Sequence, residues 1–127
     1  MKTVKEKIIS HFKKYYCNLI TPNESETALL GGEDFLLTKA KVILKTLGGD
    51  GFEIIDKIGR KHYPCMKITP VDTTAAGDTL CGGLVAQLAN GKELEESALF
   101  GSKAASIACT KKGAQPSIPT YEEVVRY

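Results

Sequence analysis

Four residues, Ala75-Ala76-Gly77-Asp78, lead into a stretch from Thr79 to Asn90 in which almost every side chain is small or apolar. Together they restrict the fold more than any other part of this sequence. The stretch fits a helix buried on most sides, because a helix without a polar stripe has no face to give to water. Asn90-Gly91 supplies its stop. The small residues ahead of it lack the bulk to cover the unpaired N–H groups of a first helical turn. This helix is therefore expected to be buried along its length and open at its start.

The rest of the chain reads as strands and helices in alternation. Val4, Ile8, Phe12 and Tyr15 or Tyr16 recur at four-residue steps, predicting an opening helix that leads into the short apolar segment Cys17-Asn18-Leu19-Ile20. Asn23 followed by Glu26 has the spacing of a helix N-cap with its third-position acid, which predicts a helix over Glu24 to Leu30 ended by Gly31-Gly32. After a helical stretch around Phe35 to Ala40, Val42 to Leu47 reads as a buried strand closed by Gly48-Gly49-Asp50-Gly51. Phe52 to Ile55 and Lys61 to Ile68 form a predicted hairpin around Asp56-Lys57-Ile58-Gly59. Beyond the small-residue helix, a second helix is expected from Lys92 or Glu93 to Thr110. A loop over Lys111 to Ser117 follows, then a short helix signalled by Thr120-x-x-Glu123. This alternation points to an α/β layered domain.

Composition narrows the function. With 127 residues and 43% hydrophobic side chains, the chain can bury one core, so a single domain over 1–127 is expected. A net charge of +2 with acids and bases interspersed predicts no nucleic-acid partner and no membrane. The basic stretch Lys2 to Lys14 reads as the solvated face of an amphipathic helix. Cys17, Cys65, Cys81 and Cys109 contain no CxxC pair, which argues against a zinc site and a disulfide framework. No apolar run approaches the roughly 20 residues needed to span a bilayer, and the expected compartment is the cytoplasm.

Phosphate binding needs converging backbone amides, a helix dipole and no side chains in the way. Ala75-Ala76-Gly77, between a strand-like approach and a helix, meets all three conditions. Asp78 then falls in the first helical turn, where the macrodipole favours a carboxylate and where it can reach whatever meets the phosphate. Spacing alone leaves a second reading open, in which Asp72, Thr73, Thr74 and Asp78 simply cap the helix.

Thr74-Ala75-Ala76-Gly77-Asp78-Thr79 resembles the signature of the ribokinase-like, or phosphofructokinase-B, carbohydrate kinases. Three further segments resemble the same family in the same order. Asn23-Glu24-Ser25-Glu26 is similar to its Asn-x-x-Glu motif and Thr46-Leu47-Gly48-Gly49-Asp50-Gly51 to its nucleotide loop. Lys112-Gly113-Ala114-Gln115-Pro116-Ser117 is similar to the end of ribokinases in particular. The resemblance implies a partial ribokinase-like three-layer α/β/α fold. Its N-terminal half and lid, where the family carries its sugar-binding residues, have no counterpart here. The segment from Gly32 to Lys41 is also shorter than the family's usual helix.

By the same resemblance, the chain would bind ATP with magnesium and transfer the γ-phosphoryl group to a sugar primary hydroxyl, ribose being the expected sugar. Asp78 would be the base, and Ala75, Ala76 and Gly77 the anion hole. Asn23, Thr46, Leu47, Gly48, Gly49, Asp50, Gly51, Gly77, Asp78 and Ser102 would contact the nucleotide, although a helix-surface serine accounts equally well for Ser102. Glu26 would organise the magnesium and its waters, a role compatible with a capping box. Asp72, Thr74, Ala108, Lys111, Gly113 and Ser117 match positions that hold a monovalent cation, potassium, mostly through carbonyls. The alternative is a non-catalytic ATP-binding module that has lost the sugar site. Apolar surface left open by a half-fold predicts self-association or a partner that covers it.

Overall fold

The computed structural model describes residues 17–73, 75–112 and 118–126. They form two compact units, one ending at Tyr63 and one beginning at Pro64. The opening helix and basic face expected before residue 17 lie outside the described residues, as do Thr74 and residues 113–117.

The first unit is a four-stranded sheet in the order β1 (Cys17–Ile20), β2 (Ala40–Thr46), β3 (Phe52–Ile55), β4 (Arg60–Tyr63). β1 and β2 run parallel, with Leu19 opposite Val42. The other two pairings are antiparallel, with Ile43 opposite Ile55 and Phe52 opposite Tyr63. Parallel neighbours need a crossover, and two short helices make it, α1 (Glu24–Leu29) and α2 (Glu33–Leu37). α1 starts with the expected capping box, in which Asn23 Oδ1 accepts from the Glu26 amide at 2.7 Å and Glu26 Oε1 accepts from the Asn23 amide at 3.0 Å. It stops at Gly31 and Gly32, whose φ angles of 111° and 91° suit glycine.

α2 fills the short Gly32–Lys41 segment. It lies two residues earlier than the expected Phe35–Ala40 helix, because Ala40 is already the first residue of β2. Leu36 of α2, Ile43 of β2 and Ile55 of β3 form the core, flanked by Ile20, Leu30, Phe35 and Leu37. Burying each large apolar side chain contributes about 1.5–3 kcal/mol. The Phe52 and Tyr63 rings stack with centroids 4.9 Å apart. The hairpin turn is set by Asp56, whose carboxylate accepts from the Ile58 and Gly59 amides at 2.8 and 3.0 Å. β4 ends at Tyr63 rather than Ile68, because Pro64 has no N–H with which to continue the ladder.

Charges also cross this sheet. Glu33 binds Lys45 at 2.8 Å, and Arg60 bridges Glu33 and Glu53. The hydrogen bond from Lys45 does most to hold the Glu33 carboxyl below its ordinary value of 4.5. Partial burial pushes it the other way, and the positive charges of Lys45 and Arg60 add to the lowering.

The second unit is a helix hairpin, α3 (Ala76–Ala89) and α4 (Leu94–Cys109), followed by α5 (Tyr121–Arg126). α3 ends in a Schellman arrangement: the Gly91 amide (φ 81°) donates to the Leu88 carbonyl at 3.0 Å and the Lys92 amide to that of Gln87 at 3.1 Å. The two long helices approach backbone to backbone. A Cβ on Gly83 would lie 2.9 Å from Gly101 Cα, and one on Gly101 would press into the Leu80 carbonyl oxygen. Ala104, Ile107 and Val124 form the core with Met66 and Phe100, and Phe100 stacks on Tyr121 at 5.5 Å. Thr120 and Glu123 make the expected reciprocal cap, each bond 3.3 Å.

The expectation that the small-residue helix is buried on most sides does not hold. α3 buries Thr79, Leu80, Leu84 and Gln87, while Val85 is 61% exposed. The more buried helix is α4, whose inward residues include Ser97, Ala98, Ala104, Ile107 and Ala108. A helix of small residues has little polarity to mark an outer face, so its composition overstates its burial.

Two outcomes follow. Gly101→Ala forces a methyl group against helix backbone that cannot yield, and should cost about 3 kcal/mol, read as a lowered urea midpoint. Because folding lowers the Glu33 pKa, its contribution is present above 4.5 and is lost as pH falls from there through the folded value. Glu33→Gln should therefore be destabilised at neutral pH and lose less stability than the parent on acidification, measured by denaturation at stepped pH.

Candidate functional site

In the first unit, folding brings Asn23 of the Asn-x-x-Glu motif beside Thr46, the first residue of the Thr46–Gly51 turn. Asn23 forms an isolated parallel bridge with Thr46, and the Thr46 amide donates to the Pro22 carbonyl at 2.9 Å. From Thr46 the chain turns through a single 3₁₀ turn, Gly48–Asp50. The Leu47 amide closes that turn on the Gly51 carbonyl at 2.9 Å. Gly48 at φ 60° and Gly51 at φ 91° meet backbone needs. Gly49 does not: its φ is ordinary, and a Cβ there would meet nothing within 4 Å.

Sequence reasoning missed one residue of this loop. His62 Nε2 lies 2.7 Å from the Asp50 carbonyl oxygen, which can only accept, so this nitrogen carries the proton. The available signal was register, since His62 pairs with Glu53 just past the loop.

Glu26 is exposed. One carboxylate oxygen closes the capping box, and an acidic oxygen donor at this position suits a hydrated magnesium ion. Among the described residues, no three His, Cys, Asp or Glu side chains gather into a metal-binding group.

In the second unit, the Asp72–Asp78 stretch leads into α3, with Asp78 in its first turn. The N-cap of α3 is Ala75, which makes no side-chain cap. Ala76, Gly77 and Asp78 are the first three helical residues, the positions whose N–H groups a helix leaves unpaired. The Ala76 amide reaches the Thr73 carbonyl at 3.2 Å. Gly77 and Asp78 are exposed. Among the described residues, a Cβ on Gly77 would meet nothing within 4 Å, so packing does not call for glycine there. Asp78 lies at a hollow of about 560 Å³ bordered by Thr79, Gly82, Gly83, Phe100 and Ile118.

The expected cation positions that are described come together. The Val71 and Asp72 amides donate to the Cys109 carbonyl at 2.7 and 3.1 Å, and the Lys111 amide donates to that of Ala108 at 3.2 Å. Asp72 is thereby held at the end of α4, where Ala108 and Lys111 lie. The Lys111 ammonium is bound to Glu123 at 2.6 Å, which neutralises the one fixed positive charge among them. Backbone carbonyls at such a turn are suitable oxygen donors for a monovalent cation. Thr74, Gly113 and Ser117 are outside the described residues. Ser102 is 8% exposed, which removes the surface-serine explanation and places it inside α4 rather than at the hollow.

Comparison with known proteins bears on what this arrangement is for. The sequence pattern of the pfkB family of carbohydrate kinases matches residues 6–121. A ribokinase of Staphylococcus aureus is 38% identical over 121 residues, covering 84% of this chain and 40% of that protein. Among solved structures, a ribokinase of Thermotoga maritima is 40% identical and superposes with a TM-score of 0.79, covering 86% of this chain and 41% of its own. A nucleoside kinase of Methanocaldococcus jannaschii, 29% identical, gives a TM-score of 0.81 over 98% of this chain and 43% of its own. The chain spans about 40% of the length of the curated ribokinases it matches. The mixed sheet and helices are thus part of the ribokinase-like α/β fold, and the chain belongs to the pfkB family of carbohydrate kinases.

Proposed function

We propose that this chain carries the nucleotide- and phosphoryl-binding part of an ATP-dependent sugar kinase whose acceptor is the primary hydroxyl of ribose. The start of α3 carries the reading. An N-cap without a capping side chain, a glycine that packing among the described residues does not call for and an exposed carboxylate stand within the four residues Ala75 to Asp78. A helix start of this kind suits an anion that needs backbone amides and close approach.

In this reading the amides of Ala75, Ala76 and Gly77 stabilise the phosphoryl oxygens as charge builds on them. Asp78 accepts the proton of the sugar hydroxyl. That oxygen forms its bond to the γ-phosphorus, and the bond to the bridging oxygen breaks to release ADP. Asn23, Thr46, Leu47, Gly48, Gly49, Asp50 and Gly51 are assigned to the nucleotide in the first unit and Ser102 in the second. Glu26 is assigned to the waters of magnesium, which when bound offsets phosphate charge. Asp72, Thr74, Ala108, Lys111, Gly113 and Ser117 are assigned to potassium, which when bound steadies the loop before the anion turn. The cytoplasm is the proposed compartment. Among the described residues no helix is long and apolar enough to cross a membrane.

Calorimetry with ATP-magnesium should show binding. Asp78→Asn should leave that affinity within about twofold while lowering ribose-dependent ADP release by roughly 10²–10⁴. A chain that binds no ATP refutes the proposal. Binding without turnover in the parent chain assigns it instead to a nucleotide-binding module. The exposed Val85, Ile118, Tyr121 and Val125 of the second unit support association with a second copy or another polypeptide. Light scattering should report a species larger than 13.7 kDa, and a monomer across the micromolar range rules out self-association.

A further inference from the structure

The residue after the proposed base does more than continue the helix. Thr79 is 6% exposed, and its side chain turns back along the helix. Its hydroxyl donates to the Ala75 carbonyl at 2.6 Å, and its amide donates to the same oxygen at 2.9 Å. The N-cap carbonyl, which in an ordinary first turn accepts one hydrogen bond, accepts two here. Both come from one buried residue.

The consequence follows from peptide planarity. The Ala75 carbonyl and the Ala76 amide belong to one rigid unit, so fixing the direction of one fixes the other. On its far side, among the described residues, the Ala76 amide of this peptide reaches the Thr73 carbonyl at 3.2 Å. The N-cap residue cannot help, since alanine has no side-chain acceptor or donor. The short hydroxyl bond, made by a β-branched side chain with few rotamers and sheltered from water, therefore sets the plane of the first peptide of α3. That plane fixes the Ala76 amide directly, and the helical backbone that continues from it carries the amide of Gly77.

The same device occurs at the other helix start singled out by the sequence. Thr27, 5% exposed, donates its hydroxyl to the Asn23 carbonyl at 2.7 Å, and its amide donates there at 2.9 Å. At Asn23 a full capping box already holds the turn. At Ala75, whose own side chain makes no cap, the threonine hydroxyl holds the turn from the buried side.

We infer that Thr79 is the positioning residue of the phosphoryl-binding turn, acting through the Ala75 carbonyl to hold the amides of Ala76 and Gly77, two of the three assigned above to the phosphoryl oxygens, in an anion-binding arrangement without a side chain of its own among them. The inference rests on the nucleotide reading above. Thr79 touches no reacting atom in this role.

The test compares Thr79→Val, which keeps the branched shape and removes the hydroxyl, with Thr79→Ser, which keeps the hydroxyl. ATP-magnesium and adenosine are titrated into each by calorimetry, with folding checked by circular dichroism. Thr79→Val should bind ATP about tenfold more weakly, the loss of roughly one hydrogen bond, with adenosine affinity unchanged. Thr79→Ser should stay within about twofold of the parent for both. If the valine variant does not fold, Thr79→Ala against Thr79→Ser decides the same question. Unchanged ATP affinity in a folded variant without the hydroxyl overturns the inference, as does an equal loss for ATP and adenosine, which would mark a merely structural role. A parent chain that binds no ATP removes the nucleotide reading itself, and the inference with it.

Discussion

The second unit depends on the approach of two helix backbones at Gly83 and Gly101. Neither glycine is there for an unusual φ. Each is there because the neighbouring helix occupies the place of its Cβ. That approach lets α4, rich in alanine and serine, bury most of its surface although it has few large side chains to contribute. It also fixes α3 along its middle, beyond the Ala75–Asp78 turn, where a Cβ on Gly77 would meet nothing within 4 Å among the described residues.

The first unit has a comparable anchor in β2, the one strand that pairs in parallel on one side and antiparallel on the other. Its buried Ile43 joins the core under α2, and its last residue, Thr46, stops beside Asn23. The Thr46–Gly51 turn inherits its position from that strand end and is tied again by His62. In both units a regular element fixes a short glycine-containing turn, and the proposed function assigns its chemistry to those turns, the division expected where loops bear function on a rigid scaffold.

Local signals were read correctly because their physics is local. The Asn23–Glu26 and Thr120–Glu123 caps, the Asp56–Gly59 turn and the stop at Gly91 each involve residues within four positions of one another, and each appears where its spacing placed it. Family motifs are legible for a related reason, since each is a short run of neighbouring residues. Errors arose where neighbours distant in sequence decide. α3 was expected to be buried because its composition is apolar, yet a helix's outer face is set by what packs on it. The hairpin arm was drawn to Ile68 although Pro64 ends the ladder. Ser102 was left open to a surface reading, and only the packing of α4 buries it.

The sequence by itself determined where the capping boxes and the Gly91 stop fall, which turn is made of small residues ahead of a carboxylate, and which family the chain resembles. These follow from capping, backbone freedom and side-chain size, properties a residue carries with it. Tertiary structure alone decided that Gly77 stands clear of packing while Gly101 is wedged against a neighbour, and that Asp72 is hung from the end of α4. It also decided that Thr79 turns its hydroxyl back to the Ala75 carbonyl from a buried position. Glycine and threonine look alike at every occurrence in a sequence. What distinguishes one from another is the space and the partners around it, and those exist only once the chain has folded.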